Sequence, residues 1–117
     1  MTQPSGAYFV VYVADMDRAT KFYEETFDAL VGFRSPEWTS LRIAGVSIGL
    51  HGGSDTTPRS IGLGFDVDDL DGACAAVARA GGAVVKAPEK RPDAGITLAE
   101  VADTEGNQFS LTLAGHQ

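Results

Sequence analysis

Apolar and polar positions along the chain follow two periods, and the order of those periods occurs twice. Residues 8–13 and 61–67 are apolar, β-branched and aromatic runs, and both predict strands. Each run leads into a helical pattern. Met16, Ala19, Phe22, Tyr23 and Phe27 form an apolar stripe after Asp15, a residue type suited to capping a helix N-terminus. Asp69 stands in the same place before Leu70, Ala73, Cys74, Val77 and Ala80, with Gly81-Gly82 as the stop. Three further strands are predicted in each half, over 30–34, 38–44 and 46–51, then over 83–87, 96–102 and 108–113. Ser35-Pro36-Glu37 and Ala44-Gly45 separate the first three; Pro88 to Gly95 and Thr104-Glu105-Gly106-Asn107 separate the others.

The two halves read as copies. Val13-Ala14-Asp15-Met16-Asp17-Arg18-Ala19 aligns with Val67-Asp68-Asp69-Leu70-Asp71-Gly72-Ala73, and Gly45 to Leu50 resembles Gly106 to Leu111. The expected organisation is one α+β domain over 1–117. It holds a βαβββ module near 7–51, a polar linker over 52–59 and a second βαβββ module near 60–113.

Strand side chains alternate between faces, so parity assigns each one. Phe9, Val11 and Val13, then Leu41 and Ile43, Val46, Ile48 and Leu50, and their counterparts in the second half are apolar and predicted to pack under the helices. The opposite face carries Tyr8, Tyr12 and Trp38, together with Arg42, His51, Asp66, Glu100, Gln108 and Ser110. Gly49, Gly62 and Gly64 on that face remove side chains and are expected to open space. If the sheet curls, this face lines a small-molecule cleft; the plainer alternatives are a solvated face or one covered by a second subunit.

Composition narrows the partners. Nine Lys and Arg against sixteen Asp and Glu give a net charge of −7, which argues against a nucleic-acid binder. The same balance mildly favours a cationic partner. No apolar run is long enough to span a bilayer and no signal peptide is visible, so no membrane partner is expected. The lone Cys74 has no partner for a disulfide or zinc, lies on the apolar stripe of the second helix, and is expected to be a buried small hydrophobe. A reducing cytoplasm is the expected location, and His116, near the C-terminus, is expected to do nothing specific.

The paired modules, the run from Val13 to Ala19 leading into Phe22-Tyr23, and the closing Asp103-Thr104-Glu105-Gly106-Asn107 resemble the vicinal oxygen chelate superfamily. That group holds glyoxalase I, extradiol dioxygenases, fosfomycin resistance enzymes and bleomycin resistance proteins. The resemblance implies a curved, cup-like mixed sheet with helices on its outer face, commonly completed by a homodimer. Metal enzymes of the group place four inward His or Glu ligands on four strands. The matching positions here are Tyr8, Gly49, Gly62 and Ser110, which supply no such set.

The expected function is therefore metal-independent binding of a small aromatic or cationic ligand, resembling the bleomycin resistance branch, with no cofactor and a link to antibiotic resistance. Tyr8, Tyr12 and Trp38 would supply stacking surface, and Arg42, His51, Asp66, Glu100, Gln108 and Ser110 polar contacts. Glu100 is also a candidate for an ion pair with Arg42. The alternatives are a glyoxalase-like lyase or dioxygenase with an atypical divalent metal site around His51 and Glu100, or a metal-free acid–base enzyme using either residue.

Overall fold

The computed structural model describes residues 1–114. The elements run β1 (Phe9–Tyr12), α1 (Met16–Phe27), β2 (Leu30–Arg34), β3 (Trp38–Ile43), β4 (Val46–His51), β5 (Arg59–Val67), α2 (Leu70–Arg79), β6 (Ala83–Arg91), β7 (Ile96–Ala102) and β8 (Asn107–Leu113). This is the α+β fold of two βαβββ modules. Each module forms its own four-stranded mixed sheet, in the orders β1-β4-β3-β2 and β5-β8-β7-β6. β1 runs parallel to β4 and β5 parallel to β8, while the other pairings are antiparallel.

Local chemistry explains where the helices begin. Asp15 and Asp69 are both extended N-caps whose carboxylates accept from Arg18 N at 3.0 Å and Gly72 N at 2.9 Å. Asp17 and Asp71 follow in the first turns, where the helix dipole favours a negative charge. The β3–β4 hairpin closes through Ala44 and Gly45, both at positive φ, the twist a tight hairpin turn requires.

The predicted packing face is buried in β3, β4 and β8 except at Val46 and Leu113, which are half-buried against the core, and two departures lie elsewhere. Phe9, the first residue of the edge strand β1, is 48% exposed. β6 continues through Pro88 to Arg91, where a loop was expected. It too is an edge strand, so one side of its backbone needs no partner, and the β6–β7 register shifts between Lys86 and Glu89 to accommodate the proline.

One core serves both modules. Tyr23 and Phe27 of α1 meet Phe65 and Phe109 of the second sheet, with ring centroids 5.0–6.3 Å apart, and Phe22 packs edge-on against Tyr23 and Phe27. The Asp103–Asn107 turn closes the join. Asp103 accepts from Tyr23 Oη at 2.6 Å and from the backbone N of Glu105 and Asn107. Asn107 Nδ2 donates to the Tyr12 carbonyl. Glu105 is 0% exposed and accepts from Ala14 N, Asp15 N, Arg18 and Thr104 Oγ1. Burial alone would raise its pKa, but these hydrogen bonds, Arg18 foremost, hold it below the ordinary carboxylate value. The second module thus caps the first helix of the first. No helix among the described residues is long and apolar enough to cross a membrane.

Candidate functional site

The open face of the first sheet is built by register. Trp38 lies opposite His51, Ser40 opposite Gly49 and Arg42 opposite Ser47, while β2 sets Leu30 beside Arg42. The Trp38 indole lies along the sheet over Gly49, and its Nε1–H donates to Ser40 Oγ at 3.1 Å. A Cβ added at Gly49 would fall inside the van der Waals radii of the indole Cζ2 and Cη2 and 2.9 Å from Cε2. Tyr8, 67% exposed, meets the indole edge-on with centroids 6.2 Å apart. With Leu30 and Arg42 these groups line a cavity of about 530 Å³.

The glycines therefore differ from one another. Contrary to expectation, Gly49 opens no space, because the indole fills it; Gly62 does, with nothing within 4 Å of an added Cβ. Around Gly64 a Cβ would make only ordinary contact with Ser110.

Beside the cavity, the Tyr12 and His51 rings pack at 5.3 Å, and His51 is edge-on to Trp38 at 6.3 Å. His51 Nδ1–H donates to the Gly52 carbonyl at 2.8 Å, leaving Nε2 to solvent or ligand. Arg42 donates one N–H to the Gly45 carbonyl at 3.0 Å.

The remaining candidates lie on the second sheet. Glu100 is opposite Ser110, Gln108 opposite Ala102 and Asp66 opposite Thr112, all on its open face. Glu100 pairs with Lys86 at 3.2 Å, and not with Arg42 as anticipated, since β6 is its hydrogen-bonded neighbour and Arg42 belongs to the other sheet. The structure thus joins Tyr8, Trp38 and Arg42 around one cavity, flanks them with Tyr12 and His51, and sets Asp66, Glu100, Gln108 and Ser110 apart. Leu30 escaped sequence analysis; its only signal there was an apolar residue on an edge strand.

The residues present do not fit the divalent ion of the family's metal enzymes. Val10 pairs with Gly49 and Gly64 with Ser110, so Gly49 and Ser110 hold matching places in the two modules. Tyr8, Gly49, Gly62 and Ser110 together offer a phenol and one hydroxyl, where such an ion takes three or more imidazole, carboxylate or thiolate donors. At Gly49 the indole also occupies the volume a ligating side chain would need. No cluster of three or more His, Cys, Asp or Glu able to hold an ion gathers among the described residues, and His51 and Glu100 belong to different sheets. Cys74 is buried, and burial, then Asp71, pushes its thiol pKa up, away from a nucleophile's. His116 lies outside the described residues.

Comparison with known proteins places this geometry. The family profile described as Glyoxalase/Bleomycin resistance protein/Dioxygenase superfamily matches residues 7–111. No curated protein sequence matches the chain. Among solved structures, a mutant of the fosfomycin resistance protein FosX from Listeria monocytogenes, complexed with Mn(II) and 1S,2S-dihydroxypropylphosphonic acid, superposes with a TM-score of 0.79. It is 19% identical, over 94% of this chain and 90% of that one. A glyoxalase/bleomycin resistance protein/dioxygenase family enzyme from Burkholderia phytofirmans gives 0.77 at 22% identity, covering 91% and 95%. A hypothetical protein from S. aureus gives 0.76 at 21%, covering 97% and 96%. At these identities the likeness is one of fold.

Proposed function

The chain belongs to the Glyoxalase/Bleomycin resistance protein/Dioxygenase superfamily, and on that premise we propose that it binds a small aromatic molecule over its first sheet without a metal ion. The observation that carries this is the Trp38 indole seated on Gly49. It puts a flat apolar platform where metal enzymes of the superfamily would need a ligand. Tyr8 walls the platform, and the cavity of about 530 Å³ is of the size that holds one small ligand. Holding a ligand requires no reacting group, so sequestration of an antibiotic-like compound is the physiological form of this reading.

A homodimer is part of it. β1 is an edge strand with an unpaired side, and Tyr8, Phe9 and Tyr12 around it are all about half exposed or more, an apolar surface suited to a second copy.

The single tryptophan makes the test direct. Protein stripped with EDTA is titrated with a panel of aromatic fragments while the Trp38 indole N–H resonance is followed. The expected result is saturable binding, unaltered by adding nickel, zinc, manganese or iron(II), and abolished by Gly49→Ala, whose methyl group displaces the indole. Near-stoichiometric retention of one of those metals, or binding only after reloading, overturns the proposal in favour of metal-dependent chemistry.

A further inference from the structure

Resting on that reading, we infer that the cavity selects an aromatic acid, a planar ring carrying a carboxylate or similar anion on a short arm. The net charge of −7 points the other way, toward cations, but the cavity has its own electrostatics. No Asp or Glu lines it. Arg42 does, and among the described residues it has no carboxylate within 4.0 Å, whereas Arg18, Arg34 and Arg59 each have one; Arg79 and Arg91, also without one, do not line the cavity. Its bond to the Gly45 carbonyl uses one of five guanidinium N–H groups and steadies the side chain at the cavity rim. The free edge of the fork is suited to take a carboxylate in two parallel hydrogen bonds.

Spacing completes the argument. The indole covers the row of Gly49 and Ser40, and Arg42 sits one row along the same strand. Two residues of strand span about 7 Å, the length of a ring and a short acid arm. A ring stacked on Trp38 therefore points its substituent at Arg42, with Leu30 packing against the arm. The acidic groups of the open faces, Asp66 and Glu100, belong to the other sheet, and Lys86 neutralises Glu100. A cationic substituent at the Arg42 end meets repulsion with no compensating carboxylate.

Three ligands sharing one ring decide the matter: naphthaleneacetate, naphthaleneethanol and naphthaleneethylammonium, each titrated against the Trp38 indole resonance. The acetate is expected to bind at least about tenfold more tightly than the ammonium, a ratio shrinking as salt is added. Arg42→Met should erase that preference, while Arg42→Lys keeps its sign. Equal affinity for all three, tighter binding of the ammonium, or a preference that survives Arg42→Met overturns the acid selectivity and leaves the aromatic cavity standing. If none of the three moves the indole resonance, both the selectivity and the binding function fall.

Discussion

Glu105 is the point at which the second module holds the first, and replacing it with glutamine isolates the charge from the shape. One carboxylate oxygen accepts from Ala14 N at 3.0 Å, Asp15 N at 2.8 Å and Arg18 Nη2 at 3.1 Å; the other accepts from Arg18 Nε at 2.7 Å and Thr104 Oγ1 at 2.6 Å. A glutamine can keep its carbonyl toward the two amides but must then turn its NH2 toward Arg18 Nε, donor against donor. Hydrogen bonds to a charged group contribute about 1.5–3 kcal/mol each, and Arg18, whose side chain is 46% exposed, recovers part of its loss from water. Glu105→Gln should therefore cost about 2 kcal/mol. Glu105→Ala also strands the Ala14 and Asp15 amides and should cost about 4 kcal/mol, the range for breaking a buried pair from one side. At about 4 °C per kcal/mol for a domain of this size, the melting temperature falls by about 8 and 16 °C. Because the folded pKa is depressed, this stabilisation is full above the ordinary value of 4.5 and is lost as pH drops through the folded value. Urea titrations followed by circular dichroism, at neutral pH and at successively lower pH, read both effects, the gap between the native chain and Glu105→Gln narrowing only once pH has dropped below the ordinary carboxylate range. A Glu105→Gln cost under about 0.5 kcal/mol at neutral pH, or a gap that widens as pH falls, would refute the reasoning.

Two other outcomes follow from the same geometry. Tyr23→Phe removes the buried donor that reaches Asp103 at 2.6 Å and should cost about 1–2 kcal/mol in the same titration; no loss would mean that α1 does not hold the turn. Light scattering on the eluted protein should give a mass near twice 12.3 kDa, and a monomer at every workable concentration would count against the dimer.

What the sequence revealed was governed by nearby residues. Asp15 and Asp69 announce their helices because the amides they cap are three residues away, and strand parity places Trp38, Arg42 and Glu100 on open faces because alternation is local. What it hid depends on distant partners. Gly49 read as empty space because nothing along the chain says that an indole eleven positions earlier lies back over it. Glu105 read as part of a turn signature, while its partners Ala14 and Asp15 are 91 and 90 residues away. Glu100 was matched to Arg42 by shared parity, a rule silent on which sheet each strand joins. Pro88 looked like a stop because sequence does not distinguish an edge strand from a central one.

The seating of Trp38 on Gly49 makes the two positions epistatic. A side chain introduced at 49, including a liganding histidine, collides with the indole, and an alanine at 38 with Gly49 retained leaves an unfilled hollow on the sheet. Each single change is poorer than the starting pair, and only the joint change reaches a face that holds a ligating side chain at 49. The present face and one that bears a ligating side chain at 49 are thus separated by two coupled substitutions rather than one.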